Sequence, residues 1–423
     1  MKLLIITLAS IGALLIAVTL FVYVFFTGAG DIPPATVDFA ALEDDARSAL
    51  VKEGRYVARA ADCGACHVSQ DDVALAGGLP METPFGTIYG TNITPSKTHG
   101  IGTWNADDLY RALVYGINPD GTHLYPAMPY TSYHYLTRAD SDALYVYLMA
   151  QRPIEKPNRE HELAFPFNIR PALAFWNMIY RPSDRELREI AGKSEEWYRG
   201  RYLVDVAGHC GECHTPRNFA YARTDEHLKG EVIEGALAPD ISADGLVRRG
   251  WTREDLAAFM KIGLAPQGSM TFRMYPVLNH STRYLKDEDI GAMVHYLMDG
   301  SGEAGLASAQ QGAAEAHEEG HRLYVGLCAG CHGTDGEGRP HASVPLDTNT
   351  TAMLDNPNNL VKVISNGVEA HNLAGSERLQ EMPGFGDRLN DGEMAALVNY
   401  MRVRWGGLPG DVDAQRVLEI LEN

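Results

Sequence analysis

Hydrophobic positions in this chain fall into three kinds of run. The first is continuous. From Leu3 to Thr27, LLIITLASIGALLIAVTLFVYVFFT carries no charged residue, and only Lys2 stands in front of it. A bilayer-spanning helix takes about 20 apolar residues and the apolar part of a secretory signal about 7–15. The run therefore predicts an N-terminal transmembrane helix over 1–30, a membrane anchor or uncleaved signal, with Gly28-Ala29-Gly30 as the cleavage site of the alternative. Lys2 before the run and acidic sequence from Asp31 onward place the body on the periplasmic side of the inner membrane.

The second kind has helical period and leads into cysteines. GRYVARAADCGACH (54–67), GRYLVDVAGHCGECH (200–214) and GHRLYVGLCAGCH (320–332) each begin on Gly and end on Cys-x-x-Cys-His. The third kind closes each unit with an amphipathic helix: DALYVYLM (142–149), EDIGAMVHYLM (288–298) and GEMAALVNYMR (392–402). Between them, TWNADDLYRALVYGI (103–117) matches GWTREDLAAFMKIGL (250–264), with Trp104 and Trp251 each five residues before a leucine; LVKVISNGV (360–368) keeps the helix without the tryptophan. The array predicts domains at 45–152, 193–300 and 317–406. Residues 153–192, rich in Pro and aromatics, read as an inter-domain strap. Residues 301–316 read as a flexible linker and 407–423 as a C-terminal tail with an apolar face of Val412, Val417, Leu418 and Leu421.

Composition narrows the class. A hydrophobic share of 45% and a charged share of 22% are those of a globular chain, and a net charge of −19 excludes a basic nucleic-acid-binding face. All six cysteines fall in the repeated motif: Cys63, Cys66, Cys210, Cys213, Cys328 and Cys331. A zinc knuckle takes a second Cys pair about 15–20 residues on. Here the pairs begin at 63, 210 and 328. A thioredoxin-like dithiol needs a βαβ context that is missing, and a disulfide gives no reason for three following histidines. Covalent attachment of haem c accounts for every element. The two thiols add to the vinyl groups, and His67, His214 and His332 present imidazoles to the irons. The expected cofactors are three covalently bound haems c.

A methionine is the usual sixth ligand of an electron carrier. Met128 in YPAMPYTSYHYL (125–136) and Met382 in EMPGFGDRL (381–389) stand in Pro/Gly loops before the closing helices, where a core methionine has no place. In the second unit, His67 to Met128 spans 61 residues and His214 to Met274 spans 60, against 56 to Met270; spacing favours Met274, with Met270 the alternative. Histidine alternatives exist at His123 or His134, His280 or His295, and His341 or His371, without shared spacing. Closed six-coordinate irons leave no site for substrate. No nicotinamide fingerprint, phosphate loop, HExxH or Ser/His/Asp set appears, so no catalytic residue and no enzyme activity of the chain's own is expected.

From about residue 45 to 406 the sequence resembles the three-haem cytochrome c subunit of membrane-bound periplasmic dehydrogenases of the alcohol, aldehyde and gluconate type. The residues that carry this are GRYVARAADCGACH, AGGLPMETPFGTIYGTNITPSKTHGIGTW (76–104), HLYPAMPYTSY (123–133), PFNIRPALAFW (166–176), GHCGECHTPRN (208–218) and MPGFGDRL (382–389). The second unit departs from that pattern around 219–250 and 265–277. The fold class expected is all-α, three tandem cytochrome c-like helical domains behind an N-terminal transmembrane helix, the long apolar run departing from the cleaved signal common in the family. The implied role is electron relay from a large quinone-, flavin- or molybdopterin-dependent dehydrogenase subunit to ubiquinone in the membrane. A stand-alone membrane-tethered shuttle to a terminal oxidase or reductase is the alternative.

Overall fold

The computed structural model describes residues 2–26, 30–302, 316–371, 373–374 and 379–422; along the N-terminal helix, side chains are described at Thr7 and at 10–21. The linker expected at 301–316 lies almost wholly outside the described residues. The chain folds as two compact units: Met1–Gly192 with Asp205–His209, and Lys193–Val204 with Cys210–Asn423. The first repeat and the strap belong to unit one, and the second repeat, apart from Asp205–His209, shares unit two with the third.

The same helix pair organises each repeat. An opening helix, Asp44–Ala60, Glu195–Arg201 or Glu318–Leu327, crosses a closing helix, Arg138–Met149, Asp287–Leu297 or Asp391–Met401. At every crossing a glycine faces an Ala-x-x-x-Tyr face. A Cβ on Gly54 would stand 1.9 Å from the Ala143 carbonyl oxygen and 2.7 Å from Cβ of Tyr147. On Gly200 it would meet Ala292 O at 1.9 Å and Tyr296 Cβ at 2.9 Å; on Gly320, Ala396 O at 2.1 Å and Tyr400 Cβ at 2.7 Å. Absence of a side chain is what lets the two backbones touch, so the Gly heading each lead-in is a packing requirement.

The middle helices owe their bounds to local chemistry. Ala106–Tyr115 starts from a capping box, with Asn105 accepting from Asp108 N at 2.9 Å and Asp108 from Asn105 N at 3.0 Å, and stops at Gly116, φ 65°. Arg253–Ile262 starts at Thr252, which accepts from Asp255 N at 3.1 Å, and stops at Gly263, φ 89°. These caps satisfy the free helix-end amides and let the chain reverse left-handed.

Two expectations are corrected. The chain is not all-α: three small antiparallel sheets occur among the described residues. Strands β1 (Pro80–Thr83), β2 (Gly86–Tyr89) and β3 (Glu162–Leu163) form one, the last contributed by the strap; β4 (Glu231–Ile233) and β5 (Ala236–Ala238) form the second, and β6 (Leu264–Ala265) and β7 (Gly268–Ser269) the third. Helical periodicity missed them because each is built on a short hairpin with a two-residue turn, to which the strap adds β3 in the first. Glu234 and Gly235, with φ 51° and 74°, make the left-handed turn whose twist suits paired strands. The N-terminal transmembrane helix is not found either. The apolar run is helical, Lys2–Phe26, but among the described residues no helix is long and apolar enough to cross a membrane. This helix lies against strap helix Leu173–Tyr180, where Thr19 and Leu20 share a small groove with Pro171, Ala174 and Phe175.

The strap is bound to the first repeat throughout. Asn92 Nδ2 donates to the carbonyls of Ile154 and Lys156 at 2.8 and 3.1 Å, and Tyr89 O–H donates to Glu162 at 2.8 Å. Within unit two, the third repeat is stitched to the hairpins of the second. The Asn359 amide brackets Leu237, accepting from its N–H at 2.7 Å and donating to its C=O at 2.8 Å, and Thr350 N donates to Gln267 O at 2.8 Å. In the tail, helix Ala414–Glu422 buries Val417 and Ile420 in the core of the third repeat with Val412, while Leu418 and Leu421 stay exposed.

Candidate functional site

Each Cys-x-x-Cys-His forms one helical turn at the end of an opening helix: Cys63–His67, Gly211–His214 after Cys210, and Ala329–His332 after Cys328. That turn sets the two sulfurs and the imidazole on adjacent faces. All six cysteines are free thiols. Burial pushes the Cys63 thiol up to about 12, with Asp62 adding to the rise, and burial does the same to Cys328.

The three histidines share one arrangement. His67 Nδ1 lies 2.7 Å from Thr91 O, His214 Nδ1 2.7 Å from Pro239 O, and His332 Nδ1 2.9 Å from Val344 O. A carbonyl only accepts, so each Nδ1 carries the proton and each Nε2 keeps its lone pair. Burial lowers the pKa of all three against the opposing pull of the carbonyl, which keeps them neutral. A neutral, oriented imidazole with free Nε2 is the form that ligates iron, and the carbonyl raises its basicity. The donor set fits haem c.

The acceptor loops were not singled out in the sequence, although two of them carry a signal. Thr91-Asn92-Ile93-Thr94 and Pro239-Asp240-Ile241-Ser242 stand 24 and 25 residues beyond their histidines. In each, an Asx side chain clasps the hydroxyl residue two places on. Asn92 Oδ1 accepts from Thr94 N and Oγ1 at 2.9 and 2.7 Å; Asp240 Oδ1 accepts from Ser242 N and Oγ at 2.8 and 2.6 Å. The clasp fixes the carbonyl that precedes it.

Met128 is half-buried in a turn, its amide donating to Tyr125 O at 3.0 Å. Met274 follows suit, its amide donating to Thr271 O at 3.1 Å. The caps align the two loops independently of residue counting. Leu124 N donates to Gly116 O and Met270 N to Gly263 O, so Leu124 and Met270 are equivalent, and four residues on stand Met128 and Met274. Met270 itself is completely buried with Leu278 and Leu373, in the place of a core residue. Met382 is paired through both backbone groups with Val368, at 2.9 Å each way, and packs on the apolar cluster that contains Cys328.

The alternative histidines divide. His341 is exposed and His280 and His295 are half-buried on helices. His371 is buried, its ring stacked on Tyr275 at 3.7 Å. His123 is buried with Nδ1 2.8 Å from Asn177 Nδ2. His134 repeats the proximal pattern, with Nδ1 3.0 Å from Val114 O and a buried Nε2 that has no partner among the described residues; burial takes its pKa down to about 4.

Residues 317–405 match the Cytochrome c family model. Along most of its length the chain is similar to the gluconate 2-dehydrogenase cytochrome c subunit of Pantoea cypripedii, 37% identical over 411 residues that cover 91% of this chain and 92% of the relative. The chain belongs to this family of dehydrogenase cytochrome c subunits. The cytochrome is also 37% identical over 402 residues (88% of this chain, 82% of the relative) to the fructose dehydrogenase cytochrome subunit of Gluconobacter japonicus. With the cytochrome c subunit of alcohol dehydrogenase (quinone) of Gluconacetobacter polyoxogenes it shares 36% over 401 residues, covering 89% of this chain and 85% of the relative. Membership implies covalently bound haem c and a part in electron transfer within a dehydrogenase complex. Among the described residues, no group of three or more His, Cys, Asp or Glu side chains could hold a separate metal ion.

Proposed function

We propose that the cytochrome is a triheme electron relay, taking electrons singly from a dehydrogenase catalytic subunit and delivering them to the membrane quinone pool, with no substrate-oxidising site of its own. The observation that carries this is the threefold recurrence of a Cys-x-x-Cys turn followed by a neutral histidine whose Nδ1–H is held by a backbone carbonyl. When bound, haem c supplies a one-electron iron couple. The protein's part is to tether each group on Cys63 and Cys66, Cys210 and Cys213, or Cys328 and Cys331. Nε2 of His67, His214 or His332 and the thioether of Met128, Met274 or Met382 would hold the iron, and a full ligand set would keep water and substrate oxygen from it. That its relatives are cytochrome subunits of gluconate, alcohol and fructose dehydrogenases supports a large catalytic partner. The compartment that suits this work is the periplasmic side of the inner membrane.

The test is purification of the complex from its native host. Three haems per chain by pyridine haemochromogen, a co-purifying dehydrogenase subunit, and substrate-dependent reduction of a ubiquinone analogue are the expected results. A chain that carries fewer than three haems, or oxidises a substrate when isolated, refutes the reading.

A further inference from the structure

The strap inserts one polar side chain into the first repeat. Asn177, on helix Leu173–Tyr180, is 3% exposed. Its Oδ1 accepts from the Tyr130 O–H at 2.7 Å and its Nδ2 lies 2.8 Å from His123 Nδ1. Tyr130 is completely buried and its hydroxyl donates to Oδ1, which turns the amide nitrogen toward His123. Nδ2 can only donate, so His123 Nδ1 accepts and the ring proton sits on Nε2. That N–H is a buried donor, in a side chain 3% exposed, with no hydrogen-bond partner among the described residues. A buried orphan donor calls for an acceptor.

The surroundings give the acceptor's charge. Arg181, at the end of the same strap helix, lies near enough to lower the His123 pKa further, after burial. Burial lowers the pKa of Arg181 itself. Its guanidinium donates to Tyr115 O at 3.1 Å and lies over the Tyr115 ring, and no carboxylate pairs with it among the described residues. Arg185 lies over Tyr115 and Tyr110 and donates to Tyr110 O–H and His134 O, again with no carboxylate. Two partly buried cations without a counter-ion are anomalous in a chain of net charge −19. A neutral carbonyl or a water would satisfy His123 alone. A carboxylate satisfies the donor and the neighbouring Arg181 together.

We propose that His123, oriented by Asn177 and Tyr130 and backed by Arg181, is the binding site for a carboxylate of the haem held by the first repeat. This rests on the reading of Cys63, Cys66 and His67 as a haem c site. His123 stands five residues ahead of Met128 and Tyr130 two residues after it, so the cradle flanks the loop expected to close that iron. His123 is then a positioning residue and not an iron ligand, because its lone pair is spent on Asn177. A donor and a cation on the carboxylate draw negative charge away from the iron and favour the reduced state.

The experiment is a spectroelectrochemical titration of the holo-cytochrome and its H123L, H123Q and R181Q variants, each checked for haem content. Glutamine can place an amide N–H where Nε2–H stands, and leucine cannot. H123L and R181Q are expected to shift the oxidation equilibrium of one haem about tenfold toward the ferric form, about 59 mV for one electron. H123Q is expected to restore most of that shift, and the other two potentials stay fixed. Unchanged potentials in H123L and R181Q with full haem content overturn the proposal and leave a buried water as the occupant. Loss of bound ubiquinone analogue in H123L without a shift in potential overturns it in favour of a quinone carbonyl. Conversion of one haem to a high-spin form in H123L makes His123 a ligand and overturns it too. If C63A/C66A loses no haem relative to wild type, the underlying reading of the first repeat fails, which the haem count reports separately.

Discussion

Replacing Gly200 by alanine tests the crossing on which all three repeats depend. The new methyl would stand 1.9 Å from the Ala292 carbonyl oxygen and 2.6 Å from its carbon. A carbon–oxygen contact settles at about 3.3 Å or more, so the helices Glu195–Arg201 and Asp287–Leu297 must part by about 1.4 Å. The obstacle is backbone and cannot rotate aside. Overpacking costs about 1–3 kcal/mol, and a backbone clash belongs at the upper end. Alanine returns at most about 1 kcal/mol of helix propensity, leaving a net loss of about 2 kcal/mol. For a domain of this size that is a fall of about 8–16 °C in the midpoint of its unfolding transition. Gly291 is the internal control. It lies inside Asp287–Leu297 with nothing within 4 Å of a Cβ, so G291A is expected to gain the propensity term and rise about 4–8 °C. Scanning calorimetry of the full holo-chain reads both. If G200A leaves every transition in place, or if G291A destabilises as much as G200A, the glycine crossing is not what sets the helix separation.

Further expectations follow from single sites. M274A should turn one haem high-spin and open it to carbon monoxide. M270A should keep every haem low-spin while costing about 2–5 kcal/mol of stability, since Met270 is fully buried; the reverse pattern in absorption spectra and denaturation would exchange their roles. Asp142 is completely buried and accepts from Arg138 Nε at 2.8 Å and from Thr36 N and Oγ1 at 2.7 and 2.8 Å. R138M should therefore cost about 3–5 kcal/mol in a urea titration, and a loss under about 1 kcal/mol would show that this pair does not hold the helix in place. Burial holds His134 near pKa 4, below its unfolded value of about 6.5, so the folded state favours the neutral ring. Its contribution is complete above about pH 6.5 and is lost as pH falls through 6.5 toward 4. H134N, which retains a donor for Val114 O, should flatten that part of the pH–stability curve; an unchanged slope would place the acid sensitivity elsewhere.

The sequence by itself determined the repeat. Three Cys-x-x-Cys-His motifs using every cysteine, the matched helices around Trp104 and Trp251, and the 61- and 60-residue spans to Met128 and Met274 are all read from one dimension. Covalent tethering and helical period are local properties, and local properties leave local patterns. The choice between Met270 and Met274 lay between the two levels. Spacing favoured Met274; in the fold the backbone places Met270 as it places Leu124, each bonded to the glycine cap of its helix, with Met274 and Met128 four residues on. Only the tertiary structure decided which atoms meet across long separations. The Thr91, Pro239 and Val344 carbonyls reach their histidines from other loops, and a main-chain acceptor leaves little trace in side-chain identity. The hairpins escaped helical periodicity because two to four paired residues are too short to show alternation. The N-terminal run showed a helix in both views, but no membrane-spanning helix emerged among the described residues. The joining of Asn177, Tyr130 and His123 was invisible in the chain, since the strap that brings Asn177 home is 47 residues from one partner and 54 from the other. A hydrogen bond is a short-range interaction, and which distant residues come within its range is settled only when the backbone has closed.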